Sequence, residues 1–191
     1  MLPQPVAVDH FRACMGRWAS GVTVVTTADA GGRPHGFTAS SFSAVSLHPP
    51  MVLVCIDLTA NCLSAFQEAG WLAIHVLRRE QEATARRFSR KDVDKFAGQP
   101  LVRGPGGIPL LPGTLARLEC RTADRVPAGD HLILVAEVRR TVVGDGEPLI
   151  YYQRAYRRLG AEPPAEGAPA GPGPAETAAP APTPTRTRST P

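Results

Sequence analysis

The sequence predicts a mainly β protein, with six to eight strands and two or three short helices at their margins. Three observations predict it. Runs of about six to eight apolar or β-branched residues recur at 22–27, 51–56, 71–77 and 131–138. The segments between them are short and carry glycine and proline, so neighbouring strands pair antiparallel, and closing the sheet into a barrel removes its exposed edges. Finally, the stretch 35–57, HGFTASSFSAVSLHPPMVLVCID, sets two extended runs on either side of a His48-Pro49-Pro50 corner.

Taken in order, Asp9 is placed to cap a first helix, and Phe11, Cys14, Met15 and Trp18 recur at helical spacing as a core stripe. Gly21 is placed to end that segment. Residues 22–27 form a strand, and Asp29, Gly31 and Gly32 suit a hairpin turn back into the hydroxyl-rich run. Residues 51–56, continuously apolar, are expected to be buried on both sides. Asn61 is placed to cap a short helix carrying Leu63, Ala65 and Phe66 and ended by Gly70. After the strand 71–77, residues 80–88 pattern as an amphipathic helix with Ala83, Ala85 and Phe88 inward and Arg86 and Arg87 at its C-terminal end, where cations favour the helix. Lys95 and Phe96 follow in a loop able to close over a site.

Residues 101–113 hold three prolines and four glycines and predict an irregular surface segment. Over 115–121, apolar Ala116, Leu118 and Cys120 alternate with Arg117, Glu119 and Arg121, the pattern of a strand with one wet face. Residues 126–130 turn the chain into the strand 131–138, continued to 143. Gly144-Asp145-Gly146 then leads to a last strand at 148–152, with Tyr156 and Leu159 just beyond. From Gly160 onward the composition falls to Ala, Pro, Gly, Thr and Glu. Nine of the twenty prolines lie there, with no aromatic or large aliphatic residue. Such a segment cannot bury enough apolar surface to offset its ordering entropy. The expected organisation is one domain, 1–159, followed by a disordered Pro/Ala-rich C-terminal tail, 160–191.

A hydrophobic fraction of 43% in 191 residues suits a single globular core. No run of 18 apolar residues is present and the N-terminus shows no secretory pattern, so no membrane span and a cytoplasmic location are expected. Cys14, Cys55, Cys62 and Cys120 are scattered without a CxxC pair, and the five histidines form no HExxH or ligand-spaced cluster, so no metal is expected. A net charge of +4, with basic residues dispersed and no nucleic-acid motif, fits handling of anionic cofactors rather than nucleic acid. The absence of GxSxG, GxGxxG and P-loop patterns argues against a serine hydrolase, a doubly wound dehydrogenase and an NTPase.

The hydroxyls of 35–57 stand out. In a strand, alternate side chains face opposite sides. Thr38 and Ser40 fall on one parity and Ser41 and Ser43 on the other, so both faces carry polar groups. An edge strand with hydroxyls toward solvent is one reading. The other is a strand whose hydroxyls and backbone N–H groups line a ligand site, where Ala39, Ser40 and Ser41 are small enough for a flat ring or a phosphate to approach the backbone. Asn61 and Cys62, at a helix start, sit where a ligand could be gripped after the strand.

Three segments together, GVTVVTT at 21–27, GFTASSFSAVSLHPPMVLVCID at 36–57 and GDH at 129–131, resemble the short-chain flavin reductase family over roughly residues 11–159. The resemblance implies an FMN-binding split β-barrel. It further implies an NAD(P)H:flavin oxidoreductase that passes hydride from NADH or NADPH to FMN or FAD and supplies reduced flavin to a partner flavin-dependent monooxygenase, as a homodimer. It implies flavin contacts from Gly36, Phe37, Thr38, Ala39, Ser40 and Ser41, a ring edge along Cys55, Ile56 and Asp57, and a grip from Asn61 and Cys62. Arg87 and Phe88 would lie near the phosphate and ribityl chain. His131, with Tyr152 or Tyr156 nearby, would seat the nicotinamide nucleotide. No side chain is expected to act as an acid or base, since the flavin carries the reactive atom. The alternative is a non-catalytic split-barrel module that holds flavin or haem.

Overall fold

The computed structural model describes residues 5–98 and 101–160, and the backbone of 177–178. Its elements are α1 (Val8–Met15), β1 (Ser20–Gly21), β2 (Thr23–Ala28), β3 (Pro34–Ala39), β4 (Ser43–Leu47), β5 (Pro50–Asp57), α2 (Leu63–Glu68), β6 (Trp71–Val76), α3 (Glu82–Ser89), β7 (Val102–Arg103), β8 (Pro109–Leu110), β9 (Ala116–Ala128), β10 (His131–Val143), β11 (Ile150–Tyr152), β12 (Ala155–Arg157) and β13 (Thr177–Ala178).

The main sheet runs β3-β2-β6-β9-β10-β5-β4, antiparallel throughout. Consecutive strands β3 and β4 thus lie at opposite ends of the path, and the barrel is split between them. The hydroxyl-rich run is not one strand. It breaks at 40–42, where the chain crosses the split, and this accounts for polar groups on both parities. Ser41 ties the two sides together: its Oγ accepts the Cys55 N–H at 3.0 Å and donates to the Cys55 carbonyl at 3.3 Å.

The barrel interior is filled by alternate residues of each strand, among them Val25, Phe37, Val54, Ile56, Ile74 and Leu134. α2 plugs it with Phe66, whose ring meets Phe37 edge-on at 5.0 Å. A second core lies outside β2, where α3 packs Ala85 and Phe88 over Val22, Val24 and Leu77. β2 is therefore buried on both faces, which its unbroken β-branched sequence permits. Its buried hydroxyls are satisfied: Thr23 donates to Ala39 O, Thr26 to Pro109 O and Thr27 to Trp71 O, at 2.9, 2.6 and 2.7 Å.

Several expectations are corrected. β5 is not buried on both faces: Val52, Val54 and Ile56 point inward, whereas Met51, Leu53 and Cys55 are half-buried on the outer face. The first helix starts on Ala7 rather than an Asp9 cap and turns at Gly16, and its Phe11, Cys14, Met15 and Trp18 stripe is exposed. Cys62, not Asn61, precedes α2, and no side chain caps it. Ala83 is exposed, because α3 rests on Ala85 and Phe88 alone. Residues 101–113 are not merely surface: Ile108, Leu110 and Leu111 are buried and form a lid on the sheet. β9 runs on through 126–128, and β12 follows the expected last strand.

The polar parity of 115–121 is only partly wet: Arg121 is exposed and Arg117 half-buried, but Glu119 is buried. Glu119 is 1% exposed, with Arg117 Nε at 3.0 Å and Arg140 Nη1 at 3.9 Å. The tail expectation falls on residues outside those described, apart from Gly160 and 177–178, whose backbone pairs with Arg140 and Thr141 of β10.

Candidate active site

A cleft of about 360 Å³ lies on the outer wall over the split, within the range of small-molecule sites. β3 supplies Phe37, Thr38 and Ala39 to it, and the crossing segment supplies Ser40 and Ser41. Cys55, Ile56 and Asp57 from the end of β5 face them. Asn61 and Cys62 close one side, and Phe88 stands at the end of α3. The ladder register sets His131 directly opposite Asp57, so it also reaches the cleft.

Not every hydroxyl there is available. Thr38 Oγ1 donates to the Ala85 carbonyl at 2.7 Å and so fastens α3 to β3. Ser41 is committed to Cys55, which leaves Ser40, exposed in the cleft, as the hydroxyl without a bond among the described residues. β3 is an edge strand, so alternate backbone N–H groups point away from β2 and into the split. The small side chains of Ala39, Ser40 and Ser41, unpaired edge donors and a cationic rim fit a planar cofactor with carbonyl acceptors on its edge and a phosphate tail.

The structure separates some residues that the sequence reading grouped together. Arg87 faces a different hollow, with Gln81, Thr84 and Pro112, because it lies on the flank of α3 turned away from the split. Gly36 serves packing instead of ligand approach: a Cβ there would stand 2.8 Å from Phe88 Cε1 and 3.0 Å from Val25 O. Its carbonyl accepts Lys95 Nζ at 2.9 Å, which docks the 90–96 loop. Tyr156 lines a neighbouring cleft and Tyr152 neither of the two, so the geometry brings no tyrosine beside His131. Ser89, Arg90 and Lys91, missed as site residues, form the rim just past α3. In sequence Arg90 and Lys91 are simply part of a dispersed basic set and Ser89 carries no signal, and only the docking of α3 on β3 aims them at the cleft.

The electrostatics are asymmetric. Thr59, whose hydroxyl and N–H both lie 2.6 Å from Asp57 Oδ1, holds that carboxyl below the usual range, with help from the charges of His131 and Lys91. Lys91 Nζ donates to Thr59 O and Oγ1 at 3.1 Å, and the Asn61 amide donates to Lys91 O at 2.9 Å. His131 Nδ1 lies 2.7 Å from Asp130 Oδ1, which orients the ring. Burial pushes the Cys62 thiol up and the Lys95 ammonium down. Arg90 meets Asp92 in an exposed pair at 3.1 Å and retains donors for an incoming anion. Among the described residues no group of three His, Cys, Asp or Glu side chains is placed to hold a metal, and no helix is long and apolar enough to cross a membrane.

The split barrel and this cleft suit a protein that handles a flat, anionic cofactor. The chain belongs to the flavin reductase like domain family, whose model matches residues 15–160. It is 46% identical over 162 residues to the actinorhodin polyketide dimerase of Streptomyces coelicolor, covering 82% of this chain and 92% of that protein. It is 42% identical over 154 residues to the NADH:riboflavin 5'-phosphate oxidoreductase of Streptomyces pristinaespiralis, covering 79% and 88%. Among solved structures it is similar to the NADH:FAD oxidoreductase SgcE6 of Streptomyces globisporus in complex with NAD and FAD fragments. There the TM-score is 0.77 and the identity 33%, over 85% of this chain and 99% of that one.

Proposed function

We propose that the protein is an NAD(P)H:flavin oxidoreductase whose reduced flavin serves a flavin-dependent monooxygenase. The observation that carries this reading is the wall of β3 and residues 40–41: small side chains and edge N–H groups beside a cationic rim, with Asp57 and His131 at the far end. A bound flavin would supply the atom that accepts hydride from the nicotinamide, so the chain needs to bind and orient, not to exchange protons. The ionised Asp57 repels phosphate from its own end. The phosphate therefore belongs at the opposite end, with Ser40, Arg90 and the N-terminal part of the 89–91 rim, and the ring lies toward Cys55 and Asp57. His131, fixed by Asp130 and 42% exposed at its side chain, borders the open side and seats the nicotinamide nucleotide.

Further parts of the reading concern assembly and setting. A homodimer would cover the outer sheet face, where Leu53, Ile133 and Val135 are only half-buried and Val45 and Leu47 are exposed. A cytoplasmic setting suits four cysteines that are all unpaired. Residues 1–159 form the catalytic unit.

The test is NADH or NADPH oxidation by purified protein with and without FMN or FAD. Turnover is expected only with flavin present, and His131→Ala raises the KM for the nicotinamide nucleotide more than that for flavin. No flavin-stimulated turnover with either nucleotide overturns the activity, and equal effects on both constants overturn the role of His131.

A further inference from the structure

The two edges of β10 are covered unequally. β9 pairs with it from His131 to Val143, whereas β5 pairs with it only from His131 to Glu137. β5 begins at Pro50, just past the corner by which the chain leaves β4, so its row ends there. Beyond Glu137 the backbone groups of β10 on that side need another partner. Among the described residues one strand supplies it: β13, with Thr177 opposite Thr141 and Ala178 opposite Arg140.

β13 is antiparallel to β10, as β5 is, so it runs in the direction of β5 and takes up the row that β5 leaves empty. The sequence around it suits this. Proline carries no N–H and cannot extend a ladder, and the tail is dense in proline. The run AETAA at 175–179 is free of it, bounded by Pro174 and Pro180. Carried along the same register, 175–179 spans 139–143, nearly the whole length that lacks β5. A second proline-free run, TRTRST, lies farther along at 185–190. The stretch from Gly160 to Thr177 reaches roughly 55 Å when extended, several times the ~15 Å radius of gyration of a domain this size. Residues past 160 lie outside the family match.

We propose that the tail segment 175–179 docks on its own chain as an added strand along the open edge of β10, and caps it. An uncapped edge is a template for pairing with another chain. Strand addition satisfies such an edge through main-chain hydrogen bonds, which ask little of the side chains. That suits a segment with no large apolar residue. The inference stands apart from the flavin reading, since it uses the end of β10 away from His131.

Residue-resolved amide exchange is followed by NMR in the full chain, as wild type and as the double variant Thr177→Pro, Ala178→Pro. The variant removes both N–H groups of β13 and leaves the barrel sequence untouched. Of Arg140 and Thr141, the residue whose N–H points away from β9 is expected to exchange about tenfold faster in the variant, the size of one lost hydrogen bond. Leu134 and Ala136, where β5 and β9 cover both edges, are expected to stay unchanged. Equal exchange at 140 and 141 in the two proteins overturns the docking, including the case in which 185–190 is the strand that pairs. Protection regained when labelled variant is mixed with unlabelled wild type shows a strand given by a second copy, and overturns docking on the same chain. Sedimentation tests the cap: the variant alone is expected to form larger species as concentration rises, and their absence overturns the capping role.

Discussion

His75 predicts how stability depends on pH. It is fully buried on β6. Its Nε2 accepts the Leu111 N–H at 3.1 Å, so the proton is on Nδ1, which donates to Val24 O at 3.1 Å. The neutral ring thus joins β6 to β2 and to the segment carrying Leu111. Burial, helped by the nearby positive charge of Arg117 and opposed by the hydrogen bond to Val24, lowers its pKa from 6.5 to about 4. Between these values the unfolded chain binds a proton that the folded protein excludes, so stability rises with pH across the window. The contribution is complete above pH 6.5 and is lost as pH falls toward 4, a total of about 3 kcal/mol. From pH 6.5 to pH 5 the loss is about 2 kcal/mol, which lowers the urea midpoint by roughly 1 M for a typical denaturant slope. Urea titrations at several pH values, on wild type and His75→Gln, separate this group from the exposed titrating ones. The variant is less stable at pH 7.5 but loses about 2 kcal/mol less on acidification. Parallel stability–pH curves for the two proteins would refute the assignment.

Two further predictions concern the site. Gly36→Ala drives a Cβ against Phe88 and the Val25 carbonyl, and it is expected to cost about 1–3 kcal/mol by overpacking. Chemical denaturation checks this, and unchanged stability would show that α3 yields at no cost. Arg90→Ala is expected to weaken FMN binding about tenfold and riboflavin binding, which lacks the phosphate, by less than twofold. Arg87→Ala, facing the other flank of α3, changes neither by more than twofold. Fluorescence titrations with the two flavins measure both, and an equal effect of Arg90→Ala on FMN and riboflavin contradicts the phosphate placement.

The sequence by itself determined most of the longer strands and most of the wall of the candidate site. Thr38 to Ser41, Cys55 to Asp57 and His131 were legible because short-range pattern and the family resemblance both act on contiguous residues. Tertiary structure decided what those residues are free to do. Thr38 and Ser41 look alike in sequence, yet one hydroxyl fastens α3 and the other spans the split. Arg87 and Arg90 are both basic and three residues apart, but the end of α3 between them turns one away from the cleft and the other into it. The buried Glu119 and His75 lay on parities that sequence periodicity assigns only when one face is known to be wet. Here strands β6 and β9 gain a second cover from the 101–113 segment and from Arg117 and Arg140. Local sequence sets backbone form, because φ/ψ preference and hydrophobic period are near-neighbour properties. Which polar group is left unpaired depends on partners distant in the chain, and only the folded arrangement chooses those.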